Sequence, residues 1–205
     1  MIKNIVFDVG NVIIHWQPRE IVSQYIKDEK AIDILSKEIF LNEDWYKMDS
    51  GDLSYWDGVK LFKSRVPDNL KRYVDEILEP SNWNEKYIFL EKTEELIDKL
   101  KANGYKCYIL SNISDVVGDA IRNSSPGKKM DGLILSAFEH KVKPNKDIYE
   151  LLFNRFDLKP EECFFIDDRK DNIDAGRELG MNGFVFDYTD YDSLYNALNK
   201  EGITF

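Results

Sequence analysis

Oxygen-bearing side chains end three short apolar runs of this 205-residue sequence. Asp8 ends IVFD, Ser111 and Asn112 end YILSN, and Asp167 and Asp168 end FFIDD. A carboxylate at the end of a buried run is costly unless a cation gathers it. Mg²⁺ suits such a place, because it binds oxygen ligands and leaves positions for water and phosphate. The three runs therefore predict a magnesium and phosphate site if their ends meet.

A lysine in the segment HKVKPNKDIYE could bring positive charge to such a site. Lys143 precedes Pro144, and proline suits the first position of a helix, so we predict a helix that opens at this lysine. From a helix start its side chain could reach back to the carboxylates. A solvated lysine explains the residues equally well, since charged groups are common near helix ends.

Five short runs rich in β-branched and aromatic residues predict buried strands that would position these side chains. The runs are Asn4 to Asp8, Lys106 to Ser111, Gly132 to Ser136, Glu162 to Asp167 and Gly183 to Asp187. Amphipathic segments predict helices at Ser114 to Asn123, Pro144 to Phe156, Asp171 to Leu179 and Asp190 to Lys200. This alternation predicts an α/β fold with a doubly wound parallel sheet.

The stretch from His15 to Leu90 breaks the alternation, because it has helical patterns and no strand-like run. The predicted helices are Arg19 to Lys27, Ala31 to Phe40, Leu53 to Arg65 and Asn69 to Leu78. We therefore predict a core domain of residues 1–15 and 91–205 and an inserted α-helical cap of residues 16–90. The cap's aromatic residues most simply form its own core, but Trp16, Trp45 and Tyr46 could wall a pocket.

Composition restricts the classes of partner. Lys and Arg total 28 against 38 Asp and Glu, and the net charge of -10 disfavours nucleic acids and anionic membranes. We expect a cytoplasmic protein, because no stretch resembles a signal peptide or a membrane span. Cys107 and Cys163 stand alone inside apolar runs, which predicts buried free thiols.

The same residues resemble the haloacid dehalogenase-like superfamily, in the branch with a helical cap after the first strand. Four segments match its signatures in order: FDVGNVI, LSN, KVKPNKDIYE and FFIDDRKDNIDAGRELG. One match alone would be weak, whereas four in order are specific; the cap matches only by length and helical character. Within the branch, the motifs look most similar to small sugar-phosphate phosphatases of the α-glucose-1-phosphatase type. The resemblance implies a strand order of 5-4-1-2-3, Mg²⁺ as cofactor and a small phosphomonoester as substrate.

The resemblance also implies which residues meet the metal. Asp8 would attack phosphorus and become an aspartyl phosphate, which divides hydrolysis into two steps. Asp8, the backbone carbonyl of Gly10 and Asp168 would hold Mg²⁺. Asp167 would be an adjacent ligand, acting through water or through its neighbours.

The phosphate would be held by a second group of residues. Ser111 and the backbone amide of Asn112 would bind the transferring phosphoryl oxygens. Lys143 would neutralise charge on both the nucleophile and the phosphate, and Asn172 would orient Lys143 or the metal's waters. Phosphoryl transfer depends mainly on positioning and charge neutralisation, so this set suffices for the first step.

Position 10 departs from the superfamily pattern. Most of its phosphatases carry an aspartate two residues after the nucleophile, and it acts as general acid and then general base; here the residue is Gly10. Such assistance is worth about 10²–10⁴ in rate. The substrate could have a leaving group that departs easily, His15 or a cap residue could replace the acid, or turnover could be slow.

Two other functions are compatible with the residues. One is a metal-independent carbon–halogen hydrolase, because haloacid dehalogenases also lack the second aspartate. Asp167 and Asp168 disfavour it, since gathering further carboxylates beside Asp8 makes sense with a divalent ion. The other is a catalytically weak phosphate-binding regulator that keeps the pocket.

Overall fold

A five-stranded parallel sheet is the central element of the computed structural model, which describes residues 1–82 and 88–205. The strands are β1 (Asn4–Phe7), β2 (Ile14–His15), β3 (Ile88–Phe89), β4 (Lys106–Ser111), β5 (Gly132–Leu135), β6 (Cys163–Asp167) and β7 (Asn182–Val185). The sheet has the order β5-β4-β1-β6-β7. Numbered along the chain among themselves, its five strands have the implied order 5-4-1-2-3. The predicted fold class is confirmed.

Helices flank the sheet and fill the insertion. They are α1 (Pro18–Ser23), α2 (Glu29–Phe40), α3 (Glu43–Ser50), α4 (Tyr55–Arg65), α5 (Lys71–Leu78), α6 (Glu91–Ala102), α7 (Asp115–Asn123), α8 (Ser125–Lys129), α9 (Ser136–Glu139), α10 (Lys146–Phe156), α11 (Lys170–Glu178) and α12 (Tyr191–Lys200), with 3₁₀ turns at Asp68–Leu70, Pro80–Asn82 and Pro160–Glu162. None of the described helices is long and apolar enough to cross a membrane.

Strand β1 lies in the middle of the sheet, and all four of its residues are buried. Asn4 pairs with Lys106 of β4 on one side and with Cys163 of β6 on the other. Because the three strands are parallel, their carboxyl ends reach the same edge. Cys107 and Cys163 are buried free thiols on the two flanking strands, as predicted.

A two-stranded antiparallel ribbon joins the insertion to the core. Ile14 of β2 pairs with Phe89 of β3, and His15 pairs with Ile88. The prediction that no strand occurs between His15 and Leu90 is therefore wrong, because two-residue strands are too short to show a periodic pattern. Residues 83–87, which belong to the predicted cap, lie outside the described residues.

The structure also corrects the predicted helices, which did not include α6, α8 and α9. Lys143 does not open a helix, since α10 begins at Lys146 and Lys143 lies in the preceding turn. Helix α3 was missed, although the side chain of Asn42 caps it by accepting from the backbone N–H groups of Asp44 and Trp45. Its apolar stripe is too short to detect, because only Trp45 and Met48 are buried apolar residues.

The carboxyl end of α3 fits tightly against the core. Gly51 ends the helix with φ of 80°. A Cβ at this position would lie 2.4 Å from the carbonyl oxygen of Ala137 and 2.9 Å from Nδ1 of His140. Only glycine therefore combines this backbone conformation with so close an approach to α9.

Replacing Gly51 by alanine should destabilise the protein more than the same change at Gly104. Both glycines have positive φ, but a Cβ at Gly104 would meet nothing within 4 Å. Gly104→Ala should therefore cost only backbone strain, about 1–3 kcal/mol. Gly51→Ala should cost about 1–3 kcal/mol more, because the added carbon clashes with α9. Urea unfolding measures the difference, and equal losses would contradict the tight docking of α3.

Candidate active site

A buried lysine bridges two of the predicted site aspartates. Nζ of Lys143 lies 2.8 Å from Oδ1 of Asp8 and 2.6 Å from Oδ2 of Asp167. Its side chain is 1% exposed, so both ion pairs are shielded from water. Burial disfavours the charged lysine, but the charges of Asp167 and then Asp8 outweigh that effect and raise the Lys143 pKa. Of the two interpretations of Lys143, the structure supports the one in which it contacts the carboxylates.

The carboxylate of Asp167 accepts hydrogen bonds from three residues. Besides Lys143, its carboxylate accepts from the backbone N–H of Arg169 at 2.8 Å and from Nδ2 of Asn172 at 2.9 and 3.0 Å. The residue has no exposed surface. These contacts direct Asp167 toward Lys143 and place Asn172 behind Asp167. Asn172 therefore acts on Lys143 through the carboxylate between them.

The side chain of Asn112 fixes the backbone of Lys143. Its Nδ2 donates to the Lys143 carbonyl, and its Oδ1 accepts from the Lys143 N–H, each at 2.8 Å. This pair of hydrogen bonds ties the end of β4 to the turn before α10. The sequence placed the Asn112 side chain at a strand end, but nothing in it shows which loop that side chain meets.

Asp168 is oriented by the turn that follows β1. Nδ2 of Asn11 donates to Oδ2 of Asp168 at 2.9 Å, and Oδ1 of Asn11 accepts from the backbone N–H of Trp16 at 3.0 Å. Asn11 has φ of 52°, a left-handed conformation that asparagine tolerates better than most residues. Burial raises the pKa of Asp168, and the Asn11 bond opposes that rise.

The carboxylates outnumber the cation at this edge of the sheet. Asp8, Asp167 and Asp168 each place one oxygen within 4.8 Å of the others. Burial raises the pKa of Asp8 to about 6, although Lys143 opposes the shift. When all three carboxylates are ionised, two negative charges remain in excess after Lys143 is counted.

This donor set fits a hard divalent cation. Magnesium prefers carboxylate and carbonyl oxygens and keeps several of its waters. Among the described residues, Oδ1 of Asn172 is a buried oxygen without a hydrogen-bond partner, and Asn172 lines the adjoining cavity. An unpartnered acceptor beside three clustered carboxylates suits a hydrated ion better than an empty site.

A cavity of about 220 Å³ lies over these residues. Its polar side comes from the strand ends, and its apolar side comes mainly from the insertion. Trp16 and Trp45 contact each other with ring centroids 5.6 Å apart, and Phe40 lies 4.8 Å from Trp45. The lining residues are Asp8, Val9, Gly10, Asn11, Ile14, Trp16, Phe40, Leu41, Trp45, Tyr46, Asp49, Ser111, Asn112, Ile113, Ser114, Val117, Lys143, Asp168, Arg169 and Asn172.

His15, a candidate to replace the missing acid, lies away from the cavity, whereas Gly10 lines it. His15 points elsewhere: its Nε2 lies 2.8 Å from Oε2 of Glu20, its ring packs edge-on against Tyr188, and it does not line the cavity. Gly10 does line it. A Cβ on Gly10 would lie 3.8 Å from Cβ of Trp16, an ordinary van der Waals contact.

The structure adds Asp49, which the sequence did not single out. This residue lies near the end of α3 and lines the cavity together with Asp8. Burial and then the charge of Asp8 raise the pKa of Asp49 to about 8, against an opposing effect of the Ser114 backbone N–H. Asp49 belongs to no recognisable motif, and its position depends on a helix that was not predicted.

Comparison with known proteins agrees with this geometry. A family model described as haloacid dehalogenase-like hydrolase matches residues 2–180. The chloroplast flavin mononucleotide hydrolase 1 of Arabidopsis thaliana is 28% identical over 120 residues, which are 57% of this chain and 47% of that protein. The chain thus matches about half the length of that relative. D-ribitol-5-phosphate phosphatase of Bacteroides thetaiotaomicron is 29% identical over 196 residues, covering 90% of this chain and 91% of the relative.

Solved structures share the fold over nearly the whole chain. A haloacid dehalogenase-like (HAD-like) family hydrolase from Porphyromonas gingivalis has a TM-score of 0.73 and 25% identity. The similarity covers 97% of this chain and 98% of that one. A Bacteroides thetaiotaomicron HAD family enzyme in complex with magnesium and inorganic phosphate has a TM-score of 0.67 and 21% identity, with 95% and 100% coverage. L-2-haloacid dehalogenase of Xanthobacter autotrophicus has a TM-score of 0.67 and 16% identity, with 100% and 85% coverage. The last two similarities concern the fold alone.

Replacing Lys143 by methionine should strongly destabilise the protein. The change leaves Asp8 and Asp167 buried without their cation, and losing one partner of a buried ion pair costs about 3–5 kcal/mol. Lys146→Met is the matched control, because Lys146 pairs with Glu178 at an exposed site. It should cost less than about 1 kcal/mol. Denaturant unfolding of both variants tests this, and similar losses would show that the bridge is not stabilising.

Proposed function

The chain belongs to the haloacid dehalogenase-like hydrolase family, and we propose that it is a magnesium-dependent phosphatase of a small phosphomonoester. The observation that carries the proposal is the contact of Lys143 with both Asp8 and Asp167 on the polar side of the cavity. A lysine held there can neutralise a nucleophilic carboxylate and a bound phosphate together. The names of the flavin mononucleotide and ribitol-5-phosphate hydrolases support a phosphate ester as substrate.

We propose that Asp8, the backbone carbonyl of Gly10 and Asp168 hold Mg²⁺, with Asp167 beside them. The excess of negative charge and the oxygen donors support this assignment. Bound there, Mg²⁺ would neutralise charge on the phosphoryl oxygens during transfer. Asp167 would contribute chiefly through Lys143, because its oxygens already accept from Lys143, Arg169 and Asn172.

The residues of the chain would carry out the first step as follows. A carboxylate oxygen of Asp8 attacks phosphorus, and the ester bond breaks with its electron pair on the leaving oxygen. Ser111 and the backbone N–H of Asn112 hold phosphoryl oxygens at the end of β4. Lys143 balances the charge without moving, because Asp167 fixes its ammonium and the Asn112 side chain fixes its backbone. Such preorganisation lowers the barrier.

The walls of the cavity favour a small substrate. The cavity has a volume of about 220 Å³, and a second cavity shares Asp49, Asn112 and Lys143 with it. We propose that residues 16–90 form a cap over a core of residues 1–15 and 91–205, and that Trp16, Trp45 and Tyr46 face the substrate. Aromatic walls above a phosphate site suit a sugar or polyol phosphate better than a bulkier ester.

Asp8→Asn should abolish phosphatase turnover. The amide is a poor nucleophile, so release of phosphate from 4-nitrophenyl phosphate with Mg²⁺ should fall by about 10³-fold or more. Asp115→Asn is the matched control, because Asp115 is exposed and does not line the cavity. It should retain near-wild-type activity. Equal activity of wild type and Asp8→Asn, or no activity in either, would refute the proposal.

Removal of metal separates a phosphatase from a carbon–halogen hydrolase, which the glycine at position 10 also permits. Chelation with EDTA should stop phosphate release, and added Mg²⁺ should restore it, since the carboxylates need the ion to accept an anionic substrate. Hydrolysis of a 2-halo acid by Asp8 would continue under chelation. Halide release that is insensitive to EDTA, without phosphatase activity, would favour the second function.

A further inference from the structure

The proposed first step requires a proton donor for the leaving group. When the ester bond breaks, an alkoxide-like oxygen must receive a proton, and Gly10 has no side chain to give one. The carboxylates of the strand ends and Lys143 are already assigned to the nucleophile, the metal and the charge balance. Of the remaining titratable groups among the described lining residues, Arg169 does not release its proton, and Tyr46 is 61% exposed. The remaining carboxyl is that of Asp49.

Contacts with the core hold Asp49 in place, although it belongs to the insertion. Its backbone carbonyl accepts from Oγ of Ser136 at 2.5 Å. The backbone N–H of Ser114, which precedes α7, lies near enough to the Asp49 carboxyl to lower its pKa. The tight fit of Gly51 against α9 fixes the helix end that carries it. These contacts bring a carboxyl of the insertion to the wall that it shares with Asp8.

The surroundings of Asp49 suit a proton donor. Asp49 lines the same cavity as Asp8 and Lys143, and burial, followed by the charge of Asp8, raises the pKa of its carboxyl. A general acid works best when its pKa lies near the working pH. The N–H of Ser114 also stabilises the carboxylate that remains after the proton has left.

We propose that Asp49 is the general acid that protonates the leaving group and then the general base that activates water. The inference rests on the proposed function, because it assigns a residue of the same site. It places the acid on the insertion, whereas the superfamily pattern has it two residues after the nucleophile.

The two steps balance as follows. As the bond from Asp8 to phosphorus forms, the ester oxygen leaves with its electron pair and takes the proton of Asp49, which releases a neutral alcohol. In the second step the Asp49 carboxylate takes a proton from water while the water oxygen attacks phosphorus. The bond between phosphorus and Asp8 breaks, its electrons return to the Asp8 carboxylate, and inorganic phosphate leaves. Asp49 is again protonated.

The test compares two leaving groups of nearly equal size. Phenyl phosphate releases a basic oxygen that needs a proton, whereas 4-nitrophenyl phosphate releases a much weaker base that leaves without one. The measured quantity is kcat/KM with Mg²⁺, which reports events up to formation of the aspartyl phosphate and excludes its hydrolysis. Asp49→Asn should lower kcat/KM for phenyl phosphate by about 10²–10⁴-fold. For 4-nitrophenyl phosphate the loss should stay below about 10-fold, because that substrate needs no acid.

Two further variants control for the loss of a negative charge and for poor folding. Asp52→Asn removes the same charge from an exposed position three residues away and should leave both kcat/KM values unchanged. Asp49→Ser also removes the carboxyl and should reproduce the unequal losses if Asp49→Asn folds poorly.

The outcomes separate this inference from the proposed function. Equal losses on both substrates, or no loss on either, would overturn the role of Asp49 while leaving the phosphatase intact. Wild-type protein without Mg²⁺-dependent phosphate release from either substrate would overturn the proposed function and the role of Asp49 with it.

Discussion

The buried contact of Lys143 with Asp8 and Asp167 is the interaction around which the site is organised. Each partner comes from a different part of the chain: Asp8 follows β1, Asp167 ends β6, and Lys143 lies in the turn before α10. Buried charges are tolerated only when their partners are held in place. The cluster therefore requires β1 to lie between β6 and β4. Strand β6 ends at Asp167, and Asn112, which follows β4, fixes the backbone of Lys143.

The same cluster gives a physical reason for the site to bind a cation. One ammonium faces three clustered carboxylates, and the pKa of Asp8 rises because burial penalises its charge. Repulsion among these groups opposes folding, and a bound cation would relieve it. A ligand that binds only the native state then adds its binding free energy to stability.

The sequence was sufficient to predict the parts of the fold that depend on local pattern. Buried parallel strands are continuous apolar runs, so their ends, and with them Asp8 and Asp167, were visible. Contacts made across the fold were not. The sequence could not choose between a solvated and a buried Lys143, nor could it show that Asn112 clamps that lysine. Helix α3 was not predicted, because its apolar stripe is too short to give a helical pattern. Asp49, which lies on that helix, was therefore not identified either.

The proposed role of Asp49 gives the insertion a part in the chemistry as well as in recognition. An acid at position 10 would stand beside Asp8 whatever the insertion did. An acid on α3 is in place only when that helix rests on the core, where Ser114 and Ser136 bind it. The proposed acid would therefore be lost if α3 left the core. A substrate that displaced α3 would separate Asp49 from Asp8, so the proposed arrangement would favour small esters.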